Sequence, residues 1–315
     1  MRWIGIGLSL AFLAGLFFFV GPQLRASEIV DALKTIAPWS LAVAIAIFWS
    51  NFAISTERYR LILHNMNISA PGFDVLFRLT IFSMFAAHLV PAGPTADIVR
   101  AGFGRLKMGL PMVTAIQSVV YDRVLALVGL AVLGLMMLPV QIVRGVPVVL
   151  WAPQLVLWLA SLLGILFVVW GGRISRIQRI PFLATLGQLS SDFVPVALNP
   201  KTGIKQTLLA LAYCTTYGLV IWAIACGMGH PVRVMDVLEF SPLIFLVQSA
   251  PIFYLGWGAR ETVLVGTLGL IGALSKEQAL AVSITVGMVF FLAATPGAIV
   301  WLSASPKAPK STDSV

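Results

Sequence analysis

Charge is scarce in this chain. Only 10% of its 315 residues are Asp, Glu, Lys or Arg, against about a quarter in an ordinary soluble domain, and that excludes a water-soluble globular fold. Cysteine is nearly absent as well. Cys214 and Cys226 are the two present. They fall on one apolar stretch, too far apart for metal-ligand spacing, and read as small packing side chains. No G-x-x-x-x-G-K-[ST] loop occurs, so the chain does not power itself with ATP. No H-E-x-x-H or Cys/His cluster offers a zinc site. The paired aspartates of membrane alcohol phosphotransferases are missing, and Gly256-Trp257-Gly258 is too short for a dinucleotide fingerprint. The sequence asks for no cofactor and no metal.

What is plentiful is apolar. The hydrophobic fraction is 59%, and several runs are long enough to cross about 30 Å of hydrocarbon. Full spans are expected at about 3–20, 38–55, 113–138, 149–170, 205–226 and 279–302. The first resembles a signal peptide but is long for one and lacks a clear cleavage site, so it reads as a retained span. Tryptophans such as Trp39, Trp49, Trp151 and Trp301 lie near span ends, the ordinary aromatic belt. The tail, 304–315, reads as disordered.

Two regions fit neither span nor loop. Residues 72–109 form an apolar run interrupted at Pro91-Ala92-Gly93-Pro94-Thr95-Ala96-Asp97, with Arg100 just beyond. Residues 237–273 repeat the pattern at Pro251-Ile252-Phe253-Tyr254-Leu255-Gly256-Trp257-Gly258-Ala259-Arg260-Glu261. Pro and Gly break a helix and leave backbone groups that only protein or a wet cavity can satisfy within a bilayer. Pro91, Gly93, Pro251, Gly256 and Gly258 are the expected break points. Each region is either two kinked crossings or a re-entrant hairpin. With hairpins and a cytoplasmic N-terminus, fourteen Lys/Arg fall on the cytoplasmic side and five outside, while Arg123 and Arg260 stay within the membrane. That is the expected positive-inside bias. The excess of basic residues thus sets topology and attracts anionic headgroups; it does not point to nucleic acid.

The expected fold is an all-α polytopic membrane protein with an inverted-topology repeat: about six full spans plus two re-entrant helical hairpins. Residues 1–140 form the first repeat (two spans, hairpin 72–109, span). Residues 141–303 form the second (two spans, hairpin 237–273, span). Paired broken helices in corresponding halves point to a transport site.

The ionisable residues at the breaks are the candidate site. Asp97 and Arg100 lie three apart at a helix start and share a face. Asp97 either caps that helix or faces a polar pocket, and Arg100 either binds an anion there or snorkels. Arg260 and Glu261 open the second short helix. Adjacent helical residues point about 100° apart, so these two need not pair. Arg260 either meets Arg100 at a shared phosphate pocket or pairs with a carboxylate across the repeat interface. Asp122 and Arg123, deep in a span, each need a partner, because a central charge costs at least a few kcal/mol; Arg123 has Asp97 or Glu261. Tyr254 and Trp257 line a headgroup pocket or anchor at the interface. His88 is a candidate proton carrier or a packing residue. Glu57, Arg58 and Arg60 read as interfacial.

The residues His88-Leu-Val-Pro91-Ala-Gly93-Pro-Thr-Ala-Asp97-Ile-Val-Arg100, then Tyr121-Asp122-Arg123, together with Gly256-Trp-Gly258-Ala-Arg260-Glu261, resemble the lysylphosphatidylglycerol synthase transmembrane, or flippase-like domain, family. The likeness covers about residues 10–303. Where that family has Gly-Gly before the Asp, this chain has Thr95-Ala96, which hinders close backbone approach to a headgroup. The resemblance implies movement of a phospholipid or polyprenyl-phosphate-linked glycan between leaflets of the bacterial inner membrane. It implies no lipid aminoacylation, because the soluble transferase domain has no room here. Both termini are expected in the cytoplasm. The expected partners are the lipid or lipid-linked glycan, envelope-biosynthesis enzymes or a second copy. The competing readings are a transferase acting on a lipid-linked substrate, with Asp97, Asp122 or Glu261 as base, and a non-catalytic subunit of an envelope-glycan pathway.

Overall fold

An apolar backbone placed in hydrocarbon must satisfy its N–H and C=O groups within its own segment, and the helix does so at every turn. A computed structural model describes residues 25–90, 94–170, 193, 195–196, 199, 201–229, 232–249 and 257–304. These are helical, with no strand among the described residues. In chain order they give α1 (Ala26–Thr35), α2 (Pro38–Asn65), α3 (Phe73–Leu89), α4 (Thr95–Lys107) and α5 (Met112–Val143). There follow α6 (Val148–Trp170), α7 (Gly203–Cys226), α8 (Val234–Leu238), α9 (Ser241–Ser249), α10 (Ala259–Leu264), α11 (Lys276–Ala294) and α12 (Pro296–Ala304). A π-helical turn, Val265–Gly269, follows α10.

Four stretches are long and apolar enough to cross a membrane: Pro38–Asn65, Met112–Val143, Gly203–Cys226 and Lys276–Val300. The expected span 3–20 lies outside the described residues. The span expected to stop near residue 55 runs on to Asn65, carrying Glu57, Arg58 and Arg60 inside the helix. Both breaks fall where Pro and Gly predict: α3 ends at Leu89 and α4 begins at Thr95; α9 ends at Ser249 and α10 begins at Ala259. Pro91, Gly93, Pro251, Tyr254 and Gly256 lie outside the described residues.

The long helices α2 and α7 lie antiparallel at the centre. The Ala37 N–H donates to the Gly227 carbonyl at 2.8 Å at one end. At the other, Asn65 Nδ2 donates to Thr202 Oγ1 at 2.8 Å. Lipid tails are as apolar as leucine, so helix association in a bilayer leans on close packing and polar contacts. A Cβ on Gly227 would lie 2.1 Å from Ser40 Oγ, and one on Gly129 of α5 would lie 2.8 Å from the Ala210 backbone of α7. Only glycine allows those approaches. Asn51 reaches from α2 to the Tyr213 carbonyl and Thr216 hydroxyl of α7. Helix α11 closes the other flank, where Phe290 packs on Phe48 at 5.0 Å between ring centroids. Outward-facing Val43, Ile116, Val120, Leu163, Leu208 and Met288 stay exposed, the apolar coat of a helix bundle that faces lipid.

Helices α3 and α4 pack on this frame. Leu76 and Leu79, from the first turns of α3, share one apolar cluster with Tyr59 and Leu63 near the end of α2, Ala101 of α4 and Val119 of α5. The start of α3 and the later part of α4 thus meet at the same end of α2.

Candidate functional site

Asp122 stands eleventh in α5, well below the helix end, and an isolated carboxylate there would be strongly penalised. Two arginines answer it. Arg58 Nε from α2 donates to one carboxylate oxygen at 2.7 Å and Arg100 Nη1 from α4 to the other at 3.0 Å. All three side chains are buried. Arg100 also reaches Ser55 Oγ at 3.1 Å. The Arg58 guanidinium lies 4.5 Å from the Tyr213 ring centroid and that of Arg100 lies 5.5 Å from Tyr59, placements that suit a cation on an aromatic face. Among the described residues, the buried Arg58 Nη1 and Arg100 Nε have no hydrogen-bond partner.

The neighbouring residue turns the other way. Arg123 forms a two-pronged pair with Asp97, Nε and Nη2 both donating, at distances down to 2.9 Å. This pair is more open, the Arg123 side chain being 47% exposed. The three-residue spacing of Asp97 and Arg100 does put them on one face, each meeting one member of the Asp122-Arg123 dipeptide. Asp97 sits in the first turn of α4, and both of its oxygens accept from Arg123. Of the two partners open to Arg123, Asp97 is the one it takes.

Both clusters line one cavity of about 640 Å³. Five of its lining residues are charged: Arg58, Arg100 and Arg123 stand with Asp97 and Asp122, three cations to two anions. The apolar lining includes Leu127 and Leu130 of α5, Leu157 of α6 and Phe245, Leu246 and Val247 of α9. Leu127 and Leu157 are also partly exposed.

Arg260 and Glu261 are elsewhere, contrary to the expectation of one chamber shared by the arginines of both breaks. Neither lines this cavity, and both side chains are buried. They also pair with each other, Arg260 Nη2 donating to Glu261 Oε1 at 2.9 Å. The reason is the third member, Ser283 of α11. It accepts from Arg260 Nε at 2.8 Å and donates to Glu261 Oε1 at 2.8 Å, so it closes the angle between adjacent residues. The second Glu261 oxygen accepts the Gly258 N–H at 2.6 Å, and Gly258 holds φ at +86°, a region glycine enters freely. Trp257 covers the Arg260 guanidinium at 5.1 Å. A Cβ on Gly287 would lie 2.8 Å from both Arg260 and Trp257, so the seat is closed by α11 backbone. The two breaks share a logic: each short helix sends a carboxylate to the span that follows it, Asp97 to Arg123 and Glu261 to Ser283.

His88 is not among the cavity-lining residues. Its Nδ1 lies 2.8 Å from the Met84 carbonyl, and its ring packs edge-on against Phe290 and Phe291. Cys214 and Cys226 are free thiols in apolar surroundings, as their spacing predicts.

Arg58 is the functional candidate that sequence reasoning placed wrongly. The apolar run stops near Ser55, so Glu57, Arg58 and Arg60 looked like the end of a span. The signal for a longer helix was Leu61-Ile62-Leu63 beyond them. Tyr213 was missed altogether, since an aromatic residue in an apolar span carries no mark of its contacts.

Comparison with known proteins gives the family. The family model for the lysylphosphatidylglycerol synthase TM region matches residues 3–297. The chain belongs to that family. A member of known sequence, the "UPF0104 membrane protein" of Methanothermobacter thermautotrophicus, is 23% identical to it across 92% of this chain and 90% of its own length. As a member of the lysylphosphatidylglycerol synthase TM region family with four apolar spans among its described residues, the protein is an integral membrane protein.

Proposed function

We propose that the protein is a flippase-like transporter, moving an anionic phospholipid or a polyprenyl-phosphate-linked glycan between leaflets. The observation that carries this reading is a cavity lined both by three arginines with two carboxylates and by apolar side chains of α5, α6 and α9. A headgroup phosphate would meet Arg58, Arg100 and Arg123 while its tails stay along Leu127, Leu157 and α9. Arg123 is the readiest to exchange Asp97 for phosphate, because a guanidinium binds either in the same two-pronged way and this pair is partly open. The unpartnered Arg58 and Arg100 nitrogens offer further donors. In this reading Asp122 sets the two inner arginines in place. Arg260, Glu261 and Trp257 anchor the second break to α11.

The proposed architecture has two re-entrant hairpins, 72–109 and 237–273, in an inverted repeat of 1–140 and 141–303. The antiparallel α2–α7 pair and the matched carboxylate contacts of α4 and α10 support it. The basic-residue bias supports an inner-membrane location with both termini in the cytoplasm. Envelope-biosynthesis enzymes or a second copy remain the partners to seek. The transferase reading is weaker, because Asp97, Asp122 and Glu261 are each tied to a guanidinium and none is poised as a base.

The test is leaflet exchange of fluorescent phosphatidylglycerol in proteoliposomes, read by quenching from outside. Arg123→Gln removes only a half-exposed pair and Arg100→Lys keeps charge but loses the fork. Both are expected to cut exchange at least tenfold while the protein stays monodisperse. Wild-type rates in both would overturn the phosphate-binding role of this cavity.

A further inference from the structure

A second group of buried polar side chains sits at the other end of α5, about 28 Å from Asp122 by the rise of nineteen residues. Gln141 of α5 and Gln154 of α6 are buried there, and Gln141 Nε2 donates to the main-chain carbonyl of Glu239 at 2.8 Å. Glu239 stands between α8 and α9, outside the four spans, and its side chain is wholly enclosed. Its Oε1 lies 3.1 Å from Arg144 Nη1, yet the two are not aligned for a hydrogen bond. Both Glu239 oxygens and Arg144 Nη1 lack a hydrogen-bond partner among the described residues. Arg144 is engaged elsewhere: its Nη2 bonds Asp236 of α8, which Arg233 also holds. An enclosed carboxylate that meets one guanidinium at 3.1 Å with no aligned hydrogen bond on either oxygen is a costly arrangement for an anion and an easier one for an acid.

We propose that Glu239 is a proton-binding site at the end of the bundle away from the charged cavity, and that loading it loosens the seam between α5 and the start of α9. The charged groups facing it are Arg144 at the end of α5 and Asp236 and Arg233 at α8. Burial pushes the Glu239 carboxyl up from 4.5 to about 7, Arg144 opposing and Asp236 adding to the rise. In the ionised form Arg144 bridges Asp236 and Glu239 and so ties α5 to the α8–α9 connection. Once Glu239 is neutral, Arg144 keeps only Asp236. Helix α9 begins two residues later, and its Phe245, Leu246 and Val247 line the cavity. A shift at the head of α9 is therefore felt at the cavity.

The experiment is infrared titration of the full-length protein in phosphatidylcholine vesicles, with no cargo added. Its outcome is thus independent of whether the cavity moves lipid. A protonated-carboxyl band should titrate near pH 7 in the wild type and be lost in Glu239→Gln. Arg144→Gln should shift the midpoint up. Asp236→Asn should shift it down, since it removes an anion and frees Arg144 for Glu239. An unchanged band in Glu239→Gln, or midpoints unmoved by both neighbours, would overturn the site. Hydrogen exchange over residues 241–249 tests the loosening. Above pH 7 it should be faster in Glu239→Gln than in the wild type, and below pH 7 the two should match. Equal exchange at both pH values would overturn the link to α9.

Discussion

Asp122 serves two arginines from two helices, and removing it would leave both guanidiniums facing each other in the interior. Breaking a buried ion pair by deleting one partner typically costs about 3–5 kcal/mol, whereas a partly exposed pair is worth roughly 0–1 kcal/mol. Asp122→Asn is therefore expected to lower thermal stability in detergent markedly, and Asp97→Asn to leave it nearly unchanged. Equal losses would show that the inner triad is no more structural than the outer pair. The Asp97/Arg100 face was legible in the sequence, because helical spacing fixes which side chains rise together. The partners were legible only as a demand for neutralisation. Which carboxylate meets which arginine depends on how helices cross, and Arg58 was hidden by a rule that ends a span at the first charges.

The elements that carry the candidate residues are short. Helix α10 has six residues, too few to be stable alone, and it is held from outside by the Gly258 N–H, Ser283 and the bare backbone at Gly287. Gly287→Val should push Arg260 and Trp257 out of their seat. Its expected effect is a loss of monodisperse protein larger than that of Ser283→Ala, which removes one hydroxyl and adds no volume; size-exclusion chromatography after heating distinguishes them. The end of α3 was readable here because proline and glycine act locally: it stops two residues before Pro91. The extension of α2 to Asn65 was signalled only by Leu61-Ile62-Leu63 beyond the charges, and the π-helical turn after α10 carries no proline to mark it.

At the scale of the whole molecule, the polar groups gather at two levels of one apolar bundle, and the second gives stability a pH dependence. Burial raises the Glu239 carboxyl to about 7, so the folded state binds its proton more tightly than the unfolded chain does. Stability from this group is full below 4.5, falls as pH rises towards 7 and is flat above. Melting temperatures of wild type and Glu239→Gln should therefore diverge between those values, the variant losing the slope. Asp236 runs the opposite way: burial pushes it up, but bonds from Arg144 and Arg233 outweigh that and hold it low. Its contribution is present at neutral pH and lost only as acid protonates it. That the chain was a membrane bundle could be read from composition alone. That one broken region lines a cavity while the other is sealed against α11 could not, because nothing local distinguishes a carboxylate facing open space from one sealed by a glycine on another helix.

The central pair is fastened at both tips, Ala37 to Gly227 and Asn65 to Thr202. A rod clasped at each end cannot slide along its neighbour or swing away from it. Any rearrangement that keeps both clasps must therefore treat α2 and α7 as a fixed axle and break contacts of the shorter pieces that ride on it.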